Sequence, residues 1–228
     1  MKDIRIIFKD EAIIVIDKPC GMPSQEDKTG DASVITVLSQ MLKSLGERDE
    51  VYPVHRLDRG VGGLMVVART RTACAALNVQ IQEGRLRKEY LAVAFGHCEG
   101  GAYTDYLFKD SATNKSYAVR TKRNGSKLAS LDATALAHSK IGERDVTLVR
   151  VLLHTGRHHQ IRAQLSSRGY PLVGDKKYGG VCREAENIAL YSHRLSFTLL
   201  GKEFDFKLLP NMETFPFSLF EKELQDYE

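Results

Sequence analysis

No stretch of about 18 or more apolar residues, the length a membrane-spanning helix needs, occurs in this chain of 228 residues. Its opening, Met1-Lys2-Asp3-Ile4-Arg5, lacks the apolar core of a secretion signal. A soluble, non-secreted protein is therefore expected. The four cysteines, Cys20, Cys74, Cys98 and Cys182, stand singly, with no C-x-x-C pair and no Cys/His spacing suited to zinc. That excludes a disulfide framework and a zinc module, and it points to reduced thiols in a cytoplasmic protein. Internal repeats, low-complexity segments and a long linker are missing as well, so residues 1–228 are expected to form a single domain.

What the chain does contain is enough apolar material, 43% of its residues, for a sizeable buried core. The net charge of +4 is modest and does not by itself identify a nucleic-acid partner. Its distribution is more telling. Arg85, Arg87 and Lys88 sit together, and Arg120, Lys122, Arg123 and Lys127 follow one another without an acid. Arg157, Arg162, Arg168, Lys176 and Lys177 are opposed only by Asp175, whereas the tail from Glu221 onward is acidic. Such blocks suit a face that binds a polyanion, although charged runs are ordinarily solvated surface.

Residues 4–8 and 12–17 read as a β-hairpin leading into the turn Lys18-Pro19-Cys20-Gly21. Val34, Val37, Leu38, Met41, Leu42 and Leu45 have helical spacing, with Asp31 as the cap and Gly46 as the stop. A second helix is expected over 70–82 and a third over 157–168, the latter ended by Gly169 with Pro171 soon after. Strands are expected at 64–68, 90–95, within 103–119, at 130–138 and 145–154, and as a closing hairpin over 190–208. Strands outnumber helices and mostly follow one another directly. The pattern favours an α+β fold with a mixed, largely antiparallel sheet and flanking helices.

Pro53-Val54-His55-Arg56-Leu57-Asp58-Arg59-Gly60 sets one acid among cations and then runs into Gly62 and Gly63. Arginines close to Asp58 would keep its carboxylate ionised, and the glycines would let backbone or ligand approach it. Alone, this is the composition of an ordinary turn. Three other segments carry related chemistry. Asp17-Lys18-Pro19-Cys20-Gly21 reads as a rigid turn; Lys88-Glu89-Tyr90 places a phenol at a strand start beside a cation, fit for stacking or for plain packing. Gly156-Arg157-His158-His159-Gln160-Ile161-Arg162 would gather cations and amides at a helix start suited to anions. The same helix would carry Arg162 inward, where it needs a carboxylate, Asp58 being the candidate, or else would leave it a solvated surface charge.

These motifs, with Gly174-Asp175 and Tyr178-Gly179, resemble in type and order the RluA-type RNA pseudouridine synthases, over residues 17–197. The resemblance implies the pseudouridine synthase fold with a central catalytic cleft. It further implies isomerisation of specific uridines in structured ribosomal or transfer RNA, with base flipping, no cofactor and no metal. Asp58 would be the essential aspartate, Tyr90 the active-site aromatic and Arg162 the partner of the carboxylate. Arg56 would fill the space left by the extruded nucleotide, and His55, Arg59, Lys88, Arg157, His158, Gln160, Lys176 and Lys177 would contact RNA. The partner is RNA and not a membrane, and a monomer is the default.

Departures exist. Val61-Gly62-Gly63 stands where the family has Thr-Ser-Gly, Gln164 where it has histidine, and Tyr191-Ser192 where it has His-Ala. The chain is expected to act without the small N-terminal RNA-binding domain of some relatives, which would leave RNA selection to the catalytic domain. The second reading is therefore an RNA-binding or RNA-remodelling protein with an idle cleft. An aspartate-nucleophile phosphate-transfer enzyme is a poorer fit, since arginines rather than further acids for magnesium bracket Asp58.

Overall fold

Runs of β-branched and aromatic residues become strands, and segments with helical apolar spacing become helices, across residues 4–227, which the computed structural model describes. In chain order these are β1 (Arg5–Lys9), β2 (Ile13–Lys18), α1 (Val34–Ser44), β3 (Tyr52–Pro53), β4 (Gly62–Ala68), α2 (Arg71–Gln82) and β5 (Arg87–Phe95). They continue with β6 (Gly100–Asp110), β7 (Lys115–Val119), β8 (Ser126–Ile141), β9 (Arg144–Leu153) and α3 (Gln160–Ser166). Last come β10 (Leu190–Leu199), β11 (Lys202–Lys207), a 3₁₀ turn (Phe217–Phe220) and α4 (Glu221–Gln225). The α+β class and the largely antiparallel sheet agree with the sequence reading. The chain divides into two compact units, one of the described residues up to Arg87 with Ser192–Leu208, the other of Lys88–Tyr191 with Leu209 onward.

In the first unit β1 pairs antiparallel with β2, β2 with β4, and β10 with β11. β4 is buried at all seven positions, with β2 on one side and β10 on the other. Val15, Leu64, Val66, Leu77 and Leu195 form its core, each fully buried side chain contributing about 1.5–3 kcal/mol. α1 buries Val34, Leu38 and Leu42, one per turn, as their spacing requires. Its cap is Ser33 and not Asp31: the Ser33 hydroxyl accepts from the Thr36 amide at 3.2 Å. Asp31 lies two residues too early for that role and pairs with Arg59 instead. α2 is capped by Thr70, which accepts from the Ala73 amide at 3.1 Å.

The second unit is a sheet in the order β5-β9-β8-β6-β7, antiparallel throughout. The acidic tail is mostly exposed, and Leu224, with the 3₁₀ turn before it, anchors it to the core of this unit. Phe217, Phe220 and Leu224 bury themselves with Leu91, Val93 and Leu148, while the acids of the same turns face water. α3 is also shorter than its apolar spacing suggests, beginning at Gln160 rather than Arg157. The Gln160 side chain accepts from the Arg157 amide at 3.0 Å and from the Thr155 hydroxyl at 2.7 Å, giving residues 155–159 a turn of their own. His159 takes the left-handed backbone, φ 52°, at the junction.

Candidate active site

The Asp58 loop has no regular secondary structure, so its shape depends on what holds it. The main support is Lys18, whose side chain is fully buried at the end of β2. Its ammonium donates to the carbonyls of Pro19 at 3.0 Å, Met22 at 2.7 Å and Arg59 at 3.3 Å. The Gly21 amide donates to the same Arg59 carbonyl at 2.7 Å. Ser24 closes the arrangement by donating to the Leu57 carbonyl and accepting from the Leu57 amide. The backbone on both sides of Asp58 is thereby fixed, and the Val61 amide donates to the Asp58 carbonyl at 3.0 Å. The turn at 18–24 is thus a clamp on the loop, a role its composition did not disclose.

The loop's other candidates separate into different roles. The His55 Nε2 accepts from the Val66 amide at 3.1 Å, which ties the loop to β4. Arg59 turns to Asp31 and to the Thr29 hydroxyl. Arg56 is exposed and, among the described residues, makes no hydrogen bond or ion pair. Gly63 explains the glycine run: its φ is +107°, and a Cβ there would meet the Ser192 carbonyl oxygen at 2.4 Å. Ser192 in turn donates from its hydroxyl to the Leu64 carbonyl at 2.9 Å.

In the second unit Lys88 and Tyr90 lie on one side of β5, and both are buried. Lys88 is only 6% exposed, yet no hydrogen bond or ion pair among the described residues reaches its ammonium. Burial pushes its pKa below the ordinary lysine value of 10.5. The ammonium sits 3.4 Å from where a side chain at Gly156 would begin, so the glycine leaves it room.

Arg162 points inward from α3, as its spacing predicts, and within this unit Asp175 grips it with two hydrogen bonds of 2.7 and 2.9 Å. Both partners are buried. The sequence reading noted Asp175 as an acid among cations and as part of the Gly174-Asp175 motif, but gave it no role beside Arg162. Gly174 and Gly180 let the chain wind tightly enough to aim the carboxylate, since side chains there would collide with the carbonyls of Asn187 and Leu172. Tyr178 completes the group. Its hydroxyl accepts from the Ser116 amide at 2.7 Å and meets the His159 Nδ1 at 3.1 Å, and its ring lies 5.0 Å from the Arg162 guanidinium. The His158 Nδ1 meets the Ser116 hydroxyl at 2.9 Å, and the His158 ring stacks on His159.

The remaining expected RNA contacts are placed unevenly. Gln160 is buried and its amide is occupied within the chain, donating to the Ser130 carbonyl at 3.0 Å. Arg157 is exposed, but its Nε donates to the Leu128 carbonyl. Lys177 donates to the carbonyls of Thr113 and Asn114, whereas Lys176 is exposed. Gln164, at the position of a family histidine, donates to Asp105 at 2.7 Å and to the Tyr103 carbonyl at 3.3 Å. Among the described residues no cluster of His, Cys, Asp or Glu side chains is placed to hold a metal ion, and no helix is long and apolar enough to cross a membrane.

Residues 12–167 match the family model described as RNA pseudouridylate synthase. An uncharacterized RNA pseudouridine synthase of Mycoplasma genitalium is 34% identical over 94% of this chain and 69% of its own length. The ribosomal large subunit pseudouridine synthase D of Pseudomonas aeruginosa is 36% identical over 78% of this chain and 54% of its own, so the chain spans about half of that relative. Among solved structures, human RNA pseudouridylate synthase domain containing 4 superposes with a TM-score of 0.76 at 22% identity, covering 97% of this chain and 93% of the human one. That likeness is one of fold.

Proposed function

The chain belongs to the RNA pseudouridylate synthase family, and from that premise we propose that it converts specific uridines in structured RNA to pseudouridine, with Asp58 as the essential carboxylate. The reaction is an isomerisation. The bond from C1′ to N1 of uracil breaks, a bond from C1′ to C5 forms, C5 loses its proton and N1 gains one, so no atom is added and no redox partner is required. A paired or stacked uridine must first leave its helix, which calls for a pocket, a side chain to fill the gap and cations for the phosphates.

The observation that carries the reading is Asp58 in its motif, on a loop whose backbone is fixed on one side by Lys18 at Arg59 and on the other by Ser24 at Leu57. A reacting group held in this way loses little to reorganisation. Tyr90 is proposed as the active-site aromatic and Arg162, oriented by Asp175, as the site's arginine. Arg56, exposed and unengaged, suits the gap-filling role. Lys88, a buried ammonium, suits a phosphate of the substrate, with Lys176 and Arg157 as outer contacts. The family match runs from residue 12 to 167, through parts of both units, which supports treating residues 1–228 as a single catalytic domain. Ribosomal RNA is the first substrate to try, given the names of the relatives.

The test is Asp58→Ala beside Asp58→Asn. Both are expected to lower pseudouridine formation by roughly 10⁴-fold or more, the scale on which loss of a nucleophile acts, with circular dichroism and RNA affinity unchanged. A site-resolved map of pseudouridines in ribosomal and transfer RNA, from strains with and without the gene, then names the target. If no site disappears while the protein still binds RNA, the idle-cleft reading replaces this one.

A further inference from the structure

A second feature of the molecule lies on β6, β7 and β8, away from the Asp58, Lys88 and Gly156–Arg162 segments and next to the basic block at residues 120–127. In an antiparallel sheet with one face in water, side chains should alternate between apolar and polar. Here the inward set behaves normally: Leu107, Ala118 and Ala129 pack against Ala163 and Tyr178. The outward set does not. Phe108 and Tyr117 are direct cross-strand partners, and Leu128 pairs with Tyr106 one step along the same face. Phe108 is 38% exposed, Tyr117 43% and Leu128 48%, so three large apolar side chains stand together in water. Isolated exposed residues need no explanation, but a contiguous group is a mark of a binding surface.

The charge around this face indicates what it binds. From Tyr106 to Leu128 the chain has six cations and a single acid; Lys109 and Lys127 alternate with Leu107 onto the other side of the sheet, which leaves Lys115, Arg120, Lys122 and Arg123 for this face and its loop. That acid, Asp110, is turned into its own loop, accepting from the Ala112 amide at 2.9 Å and the Thr113 hydroxyl at 2.8 Å. Arg120, Lys122 and Arg123, on the β7–β8 loop beside the face, are exposed and have no side-chain partner among the described residues. The Lys115 ammonium lies 5.3 Å over the Tyr117 ring. A second copy of the chain docked here would set these cations against themselves. An unpaired polynucleotide fits both properties, since bases stack on rings while phosphates meet the cations.

We propose that the outward face of β6–β8 is a stacking platform for single-stranded RNA flanking the modified uridine, with the β7–β8 loop gripping its phosphates. This rests on the reading of the protein as an enzyme of RNA, and its test separates the two. The full chain and its Phe108→Ala/Tyr117→Ala variant are titrated with a short oligouridylate and with a perfectly paired RNA duplex. Loss of base stacking weakens binding by roughly 5- to 150-fold per ring, so the variant should lose at least about 10-fold on the oligouridylate and nothing on the duplex. On the natural RNA its KM should rise while kcat at saturating RNA holds. Arg120→Gln/Lys122→Gln/Arg123→Gln should bind both RNAs more weakly, with a salt slope shallower by about 2.

Unchanged oligouridylate affinity and KM in the ring variant, with pseudouridine still formed by the wild type, overturn the platform and leave the enzyme. Ring-dependent oligouridylate binding by a wild type that forms no pseudouridine overturns the enzyme and leaves the platform. A wild-type dimer that the ring variant converts to monomer, or ring-dependent binding to anionic vesicles without any to oligouridylate, also overturns it.

Discussion

Lys18 and Lys88 are both lysines whose side chains have left the solvent, and their surroundings could hardly differ more. The Lys18 ammonium sits among three backbone carbonyls that replace its hydration. Lys88, at 6% exposure, has no such company, and its pKa falls because burial disfavours the charge. Arg162 stands with Lys18, since Asp175 neutralises it through two hydrogen bonds. A buried cation with its partners built in serves the architecture. One without them costs stability.

The largest expected effect comes from removing the carboxylate that Asp175 presents to Arg162. Asp175→Asn removes the opposing carboxylate and should destabilise the protein by about 3–5 kcal/mol, as breaking a buried pair does, measured by urea unfolding at neutral pH. Emptying the Lys18 cage comes next. Lys18→Met leaves buried carbonyls short of a donor and should cost about 2–3 kcal/mol, with faster amide exchange in the Asp58 loop than in α2.

Lys88→Met should act in the opposite direction, raising stability by about 1–2 kcal/mol while raising KM for RNA. A variant both less stable and fully active would erase the contrast. The sign with pH sharpens it. Lys88 protonates less readily folded than unfolded, so its cost is complete below its lowered folded pKa. Between that point and the ordinary 10.5 the unfolded chain binds the extra proton, and wild-type stability should climb relative to Lys88→Met.

This contrast was invisible in the sequence, where Lys18 and Lys88 are each a cation next to a strand. Periodicity could report that α1 buries one face and that residues 64–68 form a strand, because those depend on the local order of apolar residues. It also placed Arg162 inward. It could not name Asp175 as the residue opposite, since that pairing depends on how the loop from Gly174 to Gly180 is wound. The start of α3 was misread for a similar reason: a single amide, Gln160, outcompetes the helix for the Arg157 backbone. In the tail, charge hid Phe217, Phe220 and Leu224, whose burial is a tertiary matter. The outward rings of β6 and β7 looked like ordinary strand residues until register set them side by side.

The Gly63 contact has a consequence for synthesis. The backbone that Gly63 admits belongs to Ser192, more than a hundred residues later, and the first unit is completed only by Ser192–Leu208. A chain emerging from the ribosome therefore makes the Asp58 loop early and cannot finish the unit that holds it until Ser192–Leu208 has followed. The closing of that unit carries a high sequence separation, the kind of contact that slows folding. A nascent chain cut short before Ser192 holds the Asp58 loop without the strand that completes its unit, so this architecture makes the loop's support wait for a segment more than a hundred residues away.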